Sequence, residues 1–140
     1  MTDPVNAAPP PAPALTSYAA VQAYLFQIFS TDLAPGGSNA QSDAANNAPH
    51  GAFWTTLSYQ QFVGGNVPRV TDPNTGQPMP ILIKGNSAQS NIVMALAGTP
   101  GSVFDPDTGA IGRMPADGSS FLTTAQIAPL AAWIDAGCPP

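Results

Sequence analysis

Few side chains in this 140-residue chain can take part in chemistry, and their number limits what they can do. The only histidine is His50 and the only cysteine is Cys138. One histidine cannot form a three-histidine zinc site, nor a blue-copper site, which needs two histidines and a cysteine. Ser58, His50 and an aspartate could form a triad on paper, but no nucleophile-elbow motif accompanies them. The chain is therefore predicted not to be an enzyme, and Cys138, without a mate, cannot form an intrachain disulfide.

The charge pattern excludes a further class of function. Charged residues make up 8% of the chain, all eight acidic residues are aspartates, and the formal net charge is −5. The cations are Arg69, Lys84 and Arg113, too few to neutralise a run of phosphates, so nucleic-acid binding is excluded. A surface with so few charges favours either lasting contact with a protein partner or a monomer coated with uncharged polar residues.

No apolar run approaches the about 20 residues that span a bilayer, so no transmembrane segment is predicted.

The N-terminal residues differ in composition from the rest. Residues 1–14 are rich in Pro and Ala and are predicted to form a flexible arm, followed by one domain over residues 15–140. The arm lacks the basic and apolar regions of a secretory signal. Nothing in these residues sets the cellular compartment.

Apolar spacing predicts four helices. They are a helix capped by Thr16 or Ser17 that ends before Pro35, Ser58–Val63, a helix from an Asn86 or Ser87 cap to Gly98, and a helix from a Thr123 cap to Gly137. The first has the clearest apolar stripe, made of Val21, Tyr24, Leu25, Ile28 and Phe29. The last has a capping box of Thr123 with Gln126. The segment Ala34–Pro49 is aperiodic and rich in small polar residues, which predicts an exposed loop.

An internal repeat joins two of the loops. Asp72–Gly76 and Asp105–Gly109 share the pattern Asp-Pro-x-Thr-Gly, and a Met-Pro pair follows each. The pattern is typical of tight turns, either of which could head a short hairpin. Calcium loops have a similar acidic spacing but need more carboxylates, so a plain turn is predicted at Asp105. The predicted fold class is mainly α: a small helical domain with long Pro/Gly-rich loops and, at most, short hairpins.

The C-terminal segment resembles a known family. Arg113-Met114-Pro115, a turn, and a helix ending in Trp133-Ile134-Asp135-Ala136-Gly137 are similar to the C-terminal half of bacterial c-type cytochrome domains of the planctomycete type. The order of the remaining segments is also similar: Thr16–Thr31, Leu57–Val63 and Lys84–Ser90. The resemblance implies a cytochrome c-like domain, a haem whose sixth iron ligand is Met114, and a periplasmic or other extracytoplasmic location.

The chain departs from this family at the haem attachment site. Where the family has Cys-x-x-Cys-His, this chain has Asn46-Asn47-Ala48-Pro49-His50. Covalent thioether haem is therefore excluded. One hypothesis is a non-covalent haem with His50 and Met114 as axial ligands, a pair known from haem proteins. The other is that haem has been lost and that Phe53 and Trp54 fill its volume. Without any haem, His50 would be a loop or capping residue and Met114 a core residue.

The resemblance predicts a haem-free accessory or docking module that acts through protein contacts. Its partner would be a redox enzyme or a second copy of the chain, and it would bind no cofactor. The predicted contact surface consists of three loops, Pro49–Trp54, Gly64–Ile81 and Gly98–Pro115, with Phe53, Trp54, Arg69 and Arg113 as interface candidates. The alternative is a b-type haem electron carrier that uses His50 and Met114. A third interpretation is a structural or secreted binding domain without redox chemistry.

Overall fold

A computed structural model of the protein describes residues 14–30, 41, 44–45, 48–114 and 121–140. The predicted N-terminal arm lies outside the described residues except for Ala14, and so does the predicted end of the first helix near Pro35. The elements are α1 (Tyr18–Ser30), α2 (Phe53–Thr56), α3 (Tyr59–Gly64), β1 (Asn66–Thr71), β2 (Pro78–Pro80), a 3-10 helix (Ser87–Gln89), α4 (Asn91–Ala97) and α5 (Thr124–Asp135).

The prediction of a mainly α fold is wrong, because the described chain combines its helices with an antiparallel sheet of β1 and β2. The loop predicted over Gly64–Ile81 is this hairpin, closed by the Asp72 turn, in which the Asp72 amide donates to the Gln77 carbonyl at 2.8 Å. The described part of the chain is therefore a small mixed α/β protein. Within it, no helix is both long and apolar enough to cross a membrane.

Strand β1 is irregular, which explains why its sequence does not alternate. Asn66 pairs with Pro80 and Thr71 with Pro78, so five steps along β1 face two steps along β2. The extra residues form a bulge in which Arg69 has a φ of 58°. A bulge shifts the alternation of faces. Val67 and Val70 are both half-buried although three positions separate them, whereas Arg69 is exposed.

The first and last helices begin as predicted. The Ser17 hydroxyl accepts from the Ala20 amide at 3.1 Å, which makes Ser17 the cap of α1. The predicted stripe of α1 is largely confirmed, since its buried residues are Tyr18, Val21, Leu25 and Phe29. At α5, Thr123 and Gln126 form the predicted capping box. Such signals depend on a few neighbouring residues, and the sequence alone therefore locates them.

The other predicted helices are correct in outline but differ in detail. The second, α3, begins at Tyr59 after a capping box of Ser58 and Gln61. The third divides into the 3-10 helix and α4 at Ser90, which is fully buried. The Ser90 hydroxyl donates to the Asn86 carbonyl at 2.8 Å and accepts from the Ile83 amide at 2.9 Å. This local hydrogen bonding competes with a continuous helix.

Part of the predicted Ala34–Pro49 loop is helical instead. Gln41, Ala44 and Ala45 have helical conformation, and Ala44 is buried in the core. The Gln41 side chain accepts a hydrogen bond from the Trp54 indole at 2.6 Å. Contacts with residues distant in sequence thus stabilise a segment whose own sequence shows no helical period.

Aromatic rings link the helices in the core. Tyr18 of α1 lies beside Phe62 of α3 and Trp133 of α5, with ring centroids 5.3 and 6.3 Å apart. Phe62 in turn lies 6.3 Å from Phe53 of α2. Through these ring contacts, α2, the element after His50, packs against α3 and is linked by α3 to α1 and α5.

The C-terminus folds back onto this core. Gly137 has a φ of 94°, and the Cys138 amide donates to the Trp133 carbonyl at 3.0 Å, which is the Schellman pattern of a helix end. The Tyr59 hydroxyl donates to the Cys138 carbonyl at 2.5 Å. The Cys138 thiol is buried, and burial raises its pKa. Cys138 is therefore a structural residue here, and its burial argues against intermolecular cross-linking.

Candidate functional site

A large apolar cavity lies between α1, α2, α4 and the hairpin. Its volume is about 630 Å³, within the range of pockets that hold small molecules and cofactors. Of the described residues that line it, none carries a formal charge. They are Phe29, Ala44, Ala48, Pro49, His50, Phe53, Trp54, Val67, Val70, Thr71, Pro73, Met79, Asn91, Ile92, Ala95, Leu96, Phe104, Ile111 and Met114.

The three loops predicted as a contact surface converge on this cavity. Pro49–Trp54 contributes His50, Gly64–Ile81 contributes the hairpin residues, and Gly98–Pro115 contributes Phe104, Ile111 and Met114. His50 and Met114 thus line one cavity although they are far apart in sequence.

Backbone geometry orients the His50 ring. A turn closed by the Gly51 amide on the Ala48 carbonyl, at 3.1 Å, leads the chain into α2. Gly51 has a φ of 63°, a conformation that favours glycine. The His50 Nδ1 atom lies 2.6 Å from the Gly51 carbonyl oxygen, which can only accept, so Nδ1 carries the proton. In the neutral ring, Nε2 then keeps its lone pair, as in histidines that ligate metals.

Phe53 and Trp54 form one wall of the cavity. They are 6% and 7% exposed, so they do not project from the outer surface as interface residues would. Trp54 lies against Phe29 of α1, with ring centroids 4.7 Å apart. The His50 ring is 5.3 Å from Phe53 and 6.3 Å from Trp54. Both large rings therefore border the cavity without filling it.

Hydrogen bonds of Met114 itself and of Arg113, the residue before it, hold Met114 at the cavity. The Met114 amide donates to the Ala95 carbonyl of α4 at 2.9 Å. The Arg113 guanidinium donates to the Leu96 and Leu122 carbonyls, both at 3.0 Å, and lies 4.5 Å from the centre of the Phe121 ring. Arg113, predicted as an interface residue, is thus engaged within the protein. It fixes the loop that carries Met114.

A glycine makes room for this arrangement. Gly98 ends α4 with a φ of 61°. A β-carbon at this position would lie 2.6 Å from Cδ of Arg113. The arginine stem therefore occupies space that only glycine leaves free.

Met79 is a cavity residue to which sequence reasoning assigned no role. It belongs to β2, is 3% exposed and lines the same cavity as Met114. The signal was present in the sequence, since both methionines precede a proline and both follow an Asp-Pro-x-Thr-Gly turn. The cavity therefore has an imidazole and two thioether side chains among its lining groups.

The two repeated turns have the same hydrogen bonds. Asp72 Oδ1 accepts from the Asn74 amide and Asp105 Oδ1 from the Asp107 amide, both at 2.8 Å. The Gly76 amide donates to the Asp72 carbonyl at 2.7 Å, and the Gly109 amide to the Asp105 carbonyl at 2.8 Å. Among the described residues, the Asp72 turn is the only one of the two that joins a pair of strands.

The Asp105 carboxylate is used for structure. It is buried, and its Oδ2 accepts from the Gly101 amide at 2.8 Å. The hydrogen bonds from Gly101 and Asp107 lower the pKa of Asp105 below its usual value. Both oxygens thus accept amide protons, consistent with the predicted plain turn. Among the described residues, no three His, Cys, Asp or Glu side chains form a metal-binding group.

Arg69 lies on the bulge of β1, exposed, between two cavity residues, Val67 and Val70. Lys84 precedes Gly85, whose amide donates to the Ile134 carbonyl at 2.9 Å, which places it at the end of α5. Arg69 thus adjoins the cavity residue Val70, as Arg113 adjoins Met114, but the Arg113 guanidinium is already engaged within the protein.

The arrangement can bind an apolar molecule and can offer nitrogen and sulfur donors to a metal carried by it. No protein-family model, curated protein or solved structure matches this chain.

Proposed function

We propose that this chain binds a non-covalent, b-type haem in the apolar cavity and serves as an electron carrier. The observation that carries the proposal is that His50 and Met114 line one uncharged cavity of about 630 Å³. Bound haem would supply one-electron redox chemistry, with a potential that depends on its axial ligands and surroundings.

The donor groups fit a haem iron. The hydrogen bond from His50 Nδ1 to the Gly51 carbonyl leaves Nε2 as the donor atom and holds the ring in place. Met114 supplies a thioether, and histidine with methionine is a ligand pair that raises the haem potential. The cysteine positions of the family are Asn46 and Pro49, so binding would depend on burial and axial bonds alone.

The other cavity residues would exclude water. Phe53, Trp54 and Met79 are each at most 7% exposed and offer no charge to a bound molecule. An apolar wall lowers the local dielectric constant and limits solvent access, which tunes the redox potential.

Haem titration of the purified chain tests the proposal. We expect binding of one haem per chain, with a low-spin spectrum in the ferrous state. His50→Ala and Met114→Leu should each weaken binding by about tenfold or more and change this spectrum. Met94→Leu is the matched control, because Met94 lies on α4 but not among the cavity residues. Equal spectra for Met114→Leu and wild type would remove Met114 from the proposal.

A second candidate is the haem-free docking module. Within the described part of the chain, three large apolar side chains are exposed, Phe26 at 51%, Ile83 at 48% and Phe121 at 45%, and such residues can contact a protein partner. The partner would be a redox enzyme or another copy of the chain. Failure of the folded protein to bind haem would favour this candidate.

A further inference from the structure

We infer that Arg69 binds the carboxylate groups of the ligand at the rim of the cavity, so that the ligand is an apolar molecule with acidic side groups. The inference rests on the proposed function. In a b-type haem these groups are the two propionates.

The cavity itself offers no charge to the acidic groups of a ligand. Its described lining residues are uncharged, and a carboxylate buried there without a partner would be strongly disfavoured. The acidic groups of a ligand must therefore remain at the opening, where water or a cation can meet them.

Of the cationic side chains, Arg69 is the one that can meet these groups. The chain has only three, Arg69, Lys84 and Arg113. The Arg113 guanidinium is engaged by two carbonyls and the Phe121 ring. Lys84 precedes Gly85, whose amide donates to the Ile134 carbonyl of α5 at 2.9 Å, and Lys84 is not among the cavity residues. Arg69 remains. Val70, next to it, and Val67, two residues before it, line the cavity.

The backbone of β1 holds Arg69 in an unusual conformation beside the cavity residues. The bulge directs both valines to the cavity and leaves Arg69 between them, exposed. Arg69 has a φ of 58°, a conformation that glycine or asparagine adopts more readily than arginine. Residues kept in such conformations are often functional. A guanidinium can pair with a carboxylate through two hydrogen bonds, which favours arginine at this position.

Haem and its dimethyl ester separate the carboxylates from the rest of the ligand. Dissociation constants for both are measured by absorbance titration, in one detergent-containing buffer, with wild type, Arg69→Asn and Lys84→Gln. Asn tolerates the left-handed conformation, so Arg69→Asn removes the charge while keeping the backbone. We expect Arg69→Asn to weaken haem binding by roughly three- to tenfold and to leave ester binding unchanged. Lys84→Gln should alter neither.

Two other outcomes would contradict the role of Arg69 or the proposed function itself. If Arg69→Asn leaves haem binding unchanged, or weakens binding of haem and ester equally, Arg69 does not bind carboxylates, and the haem proposal stands. If the folded wild-type protein binds neither ligand, the proposed function fails and this inference fails with it. Circular dichroism of each variant verifies that the fold is retained.

Discussion

At the scale of single residues, Arg69 combines an exposed charge with an unfavourable backbone conformation. A left-handed conformation costs a residue other than glycine about 1–2 kcal/mol. A glycine at this position would avoid that cost, but it would lose up to about 1 kcal/mol more conformational entropy on folding. The residue that best suits the bulge is therefore not the residue present. Such a conflict between local preference and sequence is expected where function selects the side chain.

Arg69→Gly should therefore stabilise the protein while it weakens haem binding. We expect the free energy of unfolding, measured by urea denaturation, to increase by about 1 kcal/mol. Arg69→Asn is the control and should show a smaller gain. A clear loss of stability in Arg69→Gly would mean that the arginine side chain contributes to packing in the free protein.

Asp105 is the second residue with a specific role. Its folded-state pKa is lowered, so the stability it contributes is present above its unfolded pKa and is lost as pH falls through the folded pKa. Asp105→Asn should lower the melting temperature at neutral pH, and the difference from wild type should shrink as the pH falls below about 4. Asp107→Asn, at an exposed position in the same turn, is the control. A pH-independent difference would contradict this role.

At the scale of elements, the loop from α4 to Met114 depends on Gly98. The glycine ends α4 and borders the stem of Arg113, which in turn holds Leu96 and Leu122. These contacts connect the C-terminal end of α4 to Met114, the proposed iron ligand.

Gly98→Ala should disturb both stability and the site. The new methyl group would meet Arg113 Cδ at 2.6 Å, so the loop must shift. Gly101→Ala is a matched control, since Gly101 also has a positive φ, 80°, but no atom lies near its missing β-carbon. We expect Gly98→Ala to lower the free energy of unfolding by about 1–3 kcal/mol more than Gly101→Ala, and to weaken haem binding. Equal losses in urea denaturation would show that Arg113 moves freely.

Helix boundaries and the sheet differ in how well they could be predicted from sequence. Thr123 with Gln126, and the stripe of α1, depend on neighbouring residues and were predicted correctly. Strand β1 was missed because its bulge places Val67 and Val70 on one side, which removes the alternation of a strand. Helix α2 was missed because its four residues are too few to show a period. The conformations of β1 and α2 both depend on tertiary contacts.

At the level of the whole molecule, α4 and the three loops Pro49–Trp54, Gly64–Ile81 and Gly98–Pro115 contribute residues to the cavity. The sequence of any one of these segments does not predict a cavity. The sequence suggested His50 and Met114 separately, through a resemblance to cytochrome motifs. Their convergence, and the part taken by Met79, depend on how β2 and the Gly98–Met114 loop pack against α4. The chain lacks the two cysteines that the resembling family uses for covalent attachment, so the proposed haem would depend on the cavity and its axial ligands alone.

We have proposed that this cavity holds haem without covalent attachment. The most direct measurement is the absorbance spectrum, Soret region included, of the protein purified from its native source, before and after reduction with dithionite. We expect a Soret band, with sharp α and β bands on reduction. Acidified organic solvent should extract the pigment completely, because no thioether holds it. A flat spectrum from folded protein, even after addition of haem, would contradict the claim.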